Sequence, residues 1–271
     1  MARFLQKTLK MTMEKKNINK ADYIYGRNSV AEALSKGGKR INKILISKGV
    51  TNDTKINEII TLAKQNGIIF QFVPKERFNI YADVKHQGVV ATTSPVEYMD
   101  FYEFLEHQKE KEGYSKIIIP DGVEDPHNLG AIIRTSACAG FDAVIIPSRR
   151  NAQVNATVEK TSAGAINHIP IIQVNSLGNA IDKLKDNDYW IIAADAHGKD
   201  NYFDVDYTNM NFAIIVGGEG TGVSKNNLKK SDFVVKIPML RNFNSLNVSN
   251  AACAIIYESV RQQLNMFEKN S

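Results

Sequence analysis

The sequence FAIIVGGEGTGVSKNNLKKSDFVVKIPMLRNFNSLNVSNAACAIIYE, at residues 212–258, decides how the rest of the chain is interpreted. Two apolar runs within it, at residues 212–216 and 233–237, predict strands. A glycine loop, residues 217–222, follows the first run, and a polar turn, residues 241–245, follows the second and opens a long apolar-periodic helix. Four glycines in six positions let a backbone bend sharply and approach a ligand closely. The loop is therefore a candidate binding site, and a loop that merely turns the chain is the alternative.

The glycine loop does not match the common nucleotide-binding patterns. Gly217 and Gly222 have the spacing of a P-loop, but Val223 and Ser224 stand where Lys and Ser/Thr are needed. Without that lysine nothing reaches the β- and γ-phosphates, which argues against a nucleotide hydrolase or nucleotide-binding switch protein. A dinucleotide fingerprint also fails, because Gly218 and Gly220 would require a glycine at position 223.

Three segments resemble the motifs of a known family. They are NLGAIIRTSACAG at 128–140, IVGGEGTGVS at 215–224 and IPMLRNFNSLNVSNAA at 237–252. In content and order they are similar to the three motifs of the SpoU (TrmH-type) RNA 2′-O-ribose methyltransferases. The resemblance extends from Lys116 to about Leu264, and RNFN at 241–244 is its least typical part.

The resemblance implies a fold, a cofactor and partners. The fold is α/β, with a trefoil-knotted parallel sheet, an exception to the rule that chains do not thread loops. The cofactor is S-adenosylmethionine, bound in the knot, and no metal is expected. The partners are RNA and a second copy of the chain. The last helix carries an apolar face that could serve both the core and a homodimer interface: Val248, Ala251, Ala252, Ile255 and Ile256.

The resemblance also assigns site residues. In the family, a residue matching Arg134 lies beside the target ribose and phosphate; Asn128 orients it, and Glu219 fixes the loop geometry. Ser245 and Asn247 line the site, although Ser245 could equally be only the N-cap of the last helix. The adenosyl part of the cofactor is held by backbone groups of Gly217, Ile237 and Leu246.

Between these motifs, strands alternate with helices, which predicts a parallel sheet with helices on both faces. Asn128 is a suitable N-cap for the helix that follows strand 116–120. An apolar stripe along that helix includes Leu129, Ile132 and Ile133, and Arg134 projects away from it. Spacing alone favours an ordinary surface arginine, whereas the motif match favours a functional one.

The N-terminal part is predicted to be a second, smaller α/β domain. Its opening, YIYGRNSVAEAL at 23–34, resembles the ribosomal-protein L30e-like substrate-binding domain of some SpoU enzymes. That resemblance implies RNA binding, with Arg27, Lys39, Arg40 and Lys75 as candidate phosphate contacts; solvated surface charges are the alternative. The predicted organisation is a basic, disordered tail at 1–20, this domain at 21–95, a charge-rich linker with room for one short helix at 96–115 and the methyltransferase domain at 116–271.

Composition bounds the protein class. The chain has 271 residues, 43% hydrophobic and 23% charged, as expected of a globular protein. No apolar run reaches the length of a membrane helix, and the N-terminus lacks a secretory h-region. The two cysteines, Cys138 and Cys253, are predicted to be buried free thiols, which favours a cytoplasmic protein. No Cys/His cluster has metal-binding spacing.

The net charge of +5 is concentrated in the tail. Residues 1–20 hold six basic residues against one acid, and the remainder is balanced at 28 against 28. A basic tail can bind phosphates without specificity, or it can be a solvated arm.

These observations predict S-adenosylmethionine-dependent methylation of a ribose 2′-OH in structured RNA. A guanosine of 23S ribosomal RNA is favoured by analogy with enzymes that carry the same N-terminal domain. Transfer RNA is the alternative substrate, and a catalytically silent RNA-binding protein is the alternative of another class.

Overall fold

The computed structural model describes residues 23–50 and 53–270. They form two compact units, whose boundary falls between Thr93 and Ser94. The basic tail predicted at 1–20 lies outside the described residues.

The N-terminal unit is a four-stranded mixed sheet with two helices. The sheet order is β1-β4-β2-β3, in which β4 is antiparallel to β1 and β2, while β2 and β3 are parallel. The strands are β1 (Tyr23–Tyr25), β2 (Ile41–Ser47), β3 (Phe70–Val73) and β4 (Val89–Thr93). The helices are α1 (Arg27–Ser35) and α2 (Thr54–Gln65), and short 3-10 turns lie at Lys48–Val50 and Lys75–Tyr81.

Each face of this sheet is covered by a different apolar cluster. Val30 of α1 and Ile59 of α2 pack with Ile44 of β2 on one face. Phe78 and Tyr81, from the 3-10 turn, pack on the other. Ile44, Leu45 and Ile46 of β2 are consecutive and apolar because successive side chains of a strand point to opposite faces, and both faces are covered here.

The second unit is built on a seven-stranded sheet in which every described strand pair is parallel. The order is β7-β6-β5-β10-β8-β11-β9. The strands are β5 (Lys116–Asp121), β6 (Ala143–Pro147), β7 (Ile171–Val174), β8 (Tyr189–Ala194), β9 (Asp200–Asn201), β10 (Asn211–Gly217) and β11 (Phe233–Lys236). The predicted parallel sheet is confirmed.

Six helices of the second unit are described. They are α3 (Phe101–Lys109), α4 (Pro126–Cys138), α5 (Ala156–Ser162), α6 (Leu177–Lys185), α7 (Lys225–Lys230) and α8 (Val248–Asn270), and a 3-10 turn lies at Ala165–Asn167. The Leu129, Ile132 and Ile133 stripe of α4 is fully buried. It packs in one core cluster with Ile255 and Ile256 of α8.

That packing corrects the predicted role of the last helix. Val248, Ala252, Ile255 and Ile256 are buried in the core of their own chain, so they are not available to a second copy. Apolar residues of α8 that remain exposed lie on its other side, at Tyr257 and Leu264. These two are seven residues apart and therefore share one face of the helix.

The segment predicted as a linker, 96–115, has the short helix that the prediction allowed, but that helix is packed into the second unit. The helix is α3, whose residues Phe101, Phe104 and Leu105 are buried in the second unit against strands of the main sheet. Apolar side chains at i, i+3 and i+4 give the helix one buried face, although charged residues dominate its composition. Asp100 caps this helix by accepting from the backbone N–H of Tyr102 and Glu103.

The cysteine prediction is only partly met. Both thiols are free, but Cys138 is exposed and Cys253 is half-buried. Cys138 is the final residue of α4 and lies off the buried stripe of that helix. In the part of the chain described, no helix is long and apolar enough to cross a membrane.

Candidate active site

The site lies at the carboxyl edge of the second sheet, where ligands of parallel α/β sheets bind. The adjacent strands β5 and β10 end together, with Asp121 paired to Gly217. The glycine loop (Gly217–Gly222) leaves β10, and the loop that leads to α4 leaves β5. Strand β11, two positions from β10, ends at Lys236 and leads into residues 237–247, called here the closing segment.

The glycine loop packs backbone against backbone. A Cβ on Gly218 would lie 1.9 Å from the carbonyl oxygen of Gly122, and one on Gly217 would lie 2.0 Å from the carbonyl carbon of Gly222. Gly222 donates its N–H to the carbonyl of Gly218 at 3.0 Å. The first two glycines are therefore required by the protein's own chain, and Gly220, at φ 78°, supplies the left-handed turn.

Asp121 anchors this loop, and sequence reasoning missed it. Its Oδ2 accepts from the backbone N–H of Ser224 and from Nδ2 of the buried Asn227, both at 2.9 Å. The carbonyl of Asp121 also accepts from the N–H of Gly218. A carboxylate at the end of strand KIIIPD was the available signal, since that position faces the loops of neighbouring strands.

Three predicted site residues meet in a closed hydrogen-bonded set, called here the polar triangle. Asn128 Nδ2 donates to Glu219 Oε1 at 3.0 Å. Asn247 Nδ2 donates to the same Oε1 at 2.8 Å and to Asn128 Oδ1 at 3.1 Å. Each residue comes from a different motif, so the triangle ties α4, the glycine loop and the closing segment together.

The role predicted for Asn128 as a helix cap is wrong. Helix α4 begins one turn earlier, at Pro126, and Asp125 is its N-cap, accepting from the N–H of His127 at 2.9 Å. Proline is favoured at the first helical position because its missing N–H would be unpaired there anyway. Asn128 is consequently inside the first turn and only 8% exposed, and its side chain is directed to Glu219.

The alternative role of Ser245 as an N-cap is also wrong, because Asn247 has that role. Helix α8 begins at Val248, and Asn247 Oδ1 accepts from the N–H of Ser249 at 2.9 Å. Asn247 thus uses its oxygen for the helix and its nitrogen for the triangle. Ser245 is exposed two residues upstream.

Arg134 does not join the triangle. It is exposed on α4, and among the described residues no hydrogen bond or ion pair holds its guanidinium. It follows Asn128 by six residues, which places it ~9 Å further along the helix and about 120° around it. It is therefore free to bind a ligand anion, and removing it disturbs no internal contact.

The closing segment offers backbone groups to a ligand. Within the described chain, the backbone groups of Ile237 and Leu246 have no protein hydrogen-bond partner. Ile237 is half-buried, and unpaired backbone groups in such places are bound by water or ligand. Together with Gly217, these were the predicted cofactor contacts, and the arrangement fits a ligand held through backbone amides and carbonyls.

Among the candidate RNA contacts of the N-terminal unit, Arg27 is bonded within the unit, whereas the other three side chains are exposed. Arg27 forms an ion pair with Asp53 and donates from Nε to the carbonyl of Gln87 at 3.1 Å. It therefore joins α1 to the cap of α2 and to a loop. Lys39, Arg40 and Lys75 are exposed.

The two units carry opposite net charges, which nearly cancel when they are added together. Residues 23–93 hold 11 lysines and arginines against 5 acids, a net charge of +6. Residues 94–271 hold 17 against 22, a net charge of −5. The N-terminal unit is thus the basic one, as a unit that binds polyanions would be.

These features define an α/β enzyme class with a ligand site at the carboxyl edge of a parallel sheet and a separate basic domain. No group of three or more His, Cys, Asp or Glu residues within 23–50 and 53–270 could hold a metal ion. The site's polar side chains are amides, the carboxylates of Asp121 and Glu219, the hydroxyl of Ser245 and an arginine, a set suited to orienting an organic ligand.

Comparison with known proteins gives the family. Residues 115–257 match the SpoU rRNA Methylase family, and residues 23–99 match the domain described as RNA 2′-O ribose methyltransferase substrate binding. The chain belongs to the SpoU family of RNA methyltransferases.

Related proteins agree with this assignment. A Staphylococcus aureus (strain MSSA476) protein named for the TrmH family of tRNA/rRNA methyltransferases is 46% identical over 245 residues, covering 90% of this chain and 98% of its own. A Staphylococcus epidermidis protein of the same name is 46% identical over 247 residues, covering 91% and 98%.

Solved structures show the same fold. The SpoU methyltransferase AviRb from Streptomyces viridochromogenes, in complex with AdoMet, aligns with a TM-score of 0.56 at 22% identity and covers 98% of this chain and 100% of its own. The A. aeolicus TrmH/SpoU tRNA modifying enzyme aligns with a TM-score of 0.53 at 28% identity, covering 61% of this chain and 85% of its own.

Proposed function

We propose that the protein transfers the methyl group of S-adenosylmethionine to a ribose 2′-OH of structured RNA. The observation that carries the proposal is the polar triangle, which joins one residue from each motif segment at the carboxyl edge of the sheet. An RNA-binding protein without catalysis would not need these three side chains oriented together, which disfavours the silent alternative.

The cofactor site is formed by the glycine loop and the closing segment. Backbone groups of Gly217, Ile237 and Leu246 would hold the adenosyl part, which explains why two apolar residues serve a polar ligand. When bound, S-adenosylmethionine supplies an electrophilic methyl group. The polar triangle fixes the two loops relative to each other, because Glu219 belongs to one and Asn247 to the other.

Arg134 would act on the RNA. A neutral alcohol is a poor nucleophile, so the 2′-OH must be positioned and must lose its proton. An arginine hardly ever gives up a proton in a protein. Arg134 therefore positions a phosphate and the 2′-oxygen with its planar fork and stabilises the developing oxyanion. Ser245, exposed in the closing segment, lines the same site.

For the substrate we propose a guanosine of 23S ribosomal RNA, with transfer RNA as the second candidate. The support is the match of residues 115–257 to a family named for rRNA methylation and the basic N-terminal unit. The relatives' shared name includes both RNA classes. We propose the cytoplasm as its location, where both classes of RNA function.

We also propose a homodimer through the second unit, with the trefoil knot of the family within each subunit. The exposed Tyr257 and Leu264 on the outer face of α8 are the proposed contacts. Tyr257→Glu with Leu264→Glu should give a monomer in sedimentation equilibrium. A wild-type monomer at micromolar concentration would refute the dimer.

The test of the function is a product analysis. The protein is incubated with methyl-labelled S-adenosylmethionine and either ribosomal RNA or transfer RNA from cells that lack it, and the RNA is digested to nucleosides. The expected label is in a 2′-O-methylguanosine from ribosomal RNA. Label in a base-methylated nucleoside, or no label in either RNA, would refute the proposal.

A further inference from the structure

The second unit is acidic, yet arginines without ion pairs collect near its site. Among its described residues, five lysines form ion pairs with neighbouring acids: Lys109, Lys111, Lys183, Lys185 and Lys230. Six other lysines of this unit form no ion pair with a described residue, and the arginines also divide into paired and unpaired ones. Arg261 pairs with Glu258, whereas Arg134, Arg149, Arg150 and Arg241 are exposed and form no ion pair within 23–50 and 53–270.

Three of these arginines flank the polar triangle. Arg149 and Arg150 follow β6, which lies beside β5, and Arg241 lies in the closing segment that leaves β11. Strands β6 and β11 are four positions apart in the sheet, or ~19 Å at about 4.8 Å per strand. The strand ends that lead to these arginines therefore lie on opposite sides of β5 and β10, which carry the site.

The turn that carries Arg149 and Arg150 is fixed to the loop before α4. Asn151 Oδ1 accepts from the N–H of Val123 at 2.8 Å, and Ala152 donates its N–H to the carbonyl of Val123 at 2.7 Å. Arg150 adopts φ 55°, an unusual conformation for a residue other than glycine. Both guanidiniums thus start from a backbone held against the loop that leads to Asn128.

The closing segment adds an exposed aromatic ring beside an arginine. Phe243 is 73% exposed and Leu240 is 96% exposed, and the N–H of Phe243 donates to the carbonyl of Arg241 at 2.8 Å. Alternating cationic and aromatic side chains are typical of surfaces that bind single-stranded nucleic acid, where bases stack on rings and phosphates bind cations.

We propose that Arg149, Arg150, Arg241 and Phe243 hold the nucleotides that flank the target. The three guanidiniums bind phosphates, and Phe243 stacks on an unpaired base next to the nucleotide being methylated. This rests on the proposed function and deepens it, because it requires an unpaired target region. Contact of Phe243 with a second copy of the chain is the alternative, and sedimentation of the Phe243→Ala protein tests it.

The test uses the full chain and two fluorescein-labelled probes. One is a 20-nucleotide single-stranded RNA of mixed sequence, and the other is a 20-unit ribose-phosphate oligomer without bases. Binding is measured by anisotropy across a salt series. Arg149→Gln with Arg150→Gln should lower the slope of log K against log salt by ~1.4 on both probes, since each single-strand phosphate contact contributes about 0.7. Lys109→Gln with Lys183→Gln is the charge-matched control and should leave the slope unchanged.

Phe243→Ala should weaken binding to the base-bearing probe by about fivefold or more, the loss of one stacked base. It should leave binding to the abasic probe and the salt slope unchanged. Tyr102→Ala, an exposed aromatic on α3, is the matched control.

Equal slopes for the arginine variant and its control would overturn the inference for the arginines. A Phe243→Ala protein that binds both probes like the wild type, or that loses affinity only because a dimer dissociates in sedimentation, would overturn it for the ring. Product analysis of the wild-type protein distinguishes a failure of this inference from a failure of the proposed function. If 2′-O-methylguanosine forms and the variants bind normally, only this inference fails.

Discussion

Asn247 donates its side-chain Nδ2 to Glu219 Oε1 at 2.8 Å, while its Oδ1 caps the last helix at the N–H of Ser249. One amide therefore fixes both the start of α8 and the glycine loop. Because the nitrogen serves the loop and the oxygen serves the helix, one substitution can remove the loop contact and leave the helix cap.

Asn247→Asp should remove the hydrogen bond to Glu219 and retain the cap of helix α8. Aspartate caps helices about as well as asparagine, so the free energy of unfolding should fall by less than about 1 kcal/mol. It cannot donate to Glu219 and places a second carboxylate beside it, so methyl transfer should fall by a factor on the order of 10². Asn155→Asp, at the N-cap of α5, is the control and should retain activity. Normal turnover in Asn247→Asp would show that the triangle is not needed for catalysis.

Arg134→Ala should separate binding from chemistry. Because the side chain is exposed and makes no described internal contact, the fold and the affinity for S-adenosylmethionine should be unchanged. Single-turnover methyl transfer should fall by a factor on the order of 10² or more, as when one oxyanion donor is removed. Arg134→Lys should restore little, because an ammonium lacks the bidentate fork. Activity close to wild type in the alanine variant would make Arg134 an ordinary surface arginine.

Two glycines of one loop should respond differently to alanine. Gly218→Ala would place a Cβ 1.9 Å from the carbonyl of Gly122, a backbone overlap that costs about 1–3 kcal/mol and displaces the loop. Gly220→Ala meets no atom within 4 Å and costs only the left-handed backbone penalty of ~1 kcal/mol. Calorimetric titration with S-adenosylmethionine should show a marked loss of affinity for Gly218→Ala and little for Gly220→Ala. Equal losses would contradict the close packing of the loop on β5.

Buried tyrosines should limit stability in alkali. Burial raises the pKa of Tyr81 and of Tyr189 to about 12, and it raises the pKa of Tyr98 and Tyr207 as well. An unfolded tyrosine ionises near pH 10. A raised folded pKa gives stability that is present below about pH 10 and is lost as pH rises toward 12.

Tyr207→Phe tests this reasoning. At pH 8 it should cost ~1 kcal/mol, since the hydroxyl donates to the carbonyl of Tyr202 at 2.7 Å. Between pH 9 and 11 it should lose about 1.4 kcal/mol less than the wild type, the contribution of one ionising group. Urea unfolding at the two pH values gives the comparison, and parallel losses would contradict it.

The main sheet could be predicted because its strands are short apolar runs bounded by glycine and polar residues. The strands predicted at 212–216 and 233–237 match β10 (Asn211–Gly217) and β11 (Phe233–Lys236) to within one residue at each end. The start of α4 was misplaced, since Asp125 and Asn128 are both good caps and only the proline at 126 distinguishes them. Helix α3 was predicted only as a short helix within a linker, because its three buried apolar residues are surrounded by charge.

The members of the polar triangle were named from motif resemblance, but their contacts were beyond sequence reasoning. Asn128 and Glu219 are 91 residues apart, and only the strand order places β5 beside β10. Asp121 was missed for the same reason. The charge separation required the boundary at Thr93, because a sum over both units cancels to nearly zero.

The central claim is that the acceptor is a ribose hydroxyl. Once product analysis has located the methylated nucleotide, a short RNA is made with a 2′-deoxy sugar at that position alone, and a second with the deoxy sugar one position away. Methyl transfer to the first RNA should be absent, and transfer to the second RNA should proceed at close to the rate for the unmodified RNA. Undiminished methylation of the first RNA would contradict the account.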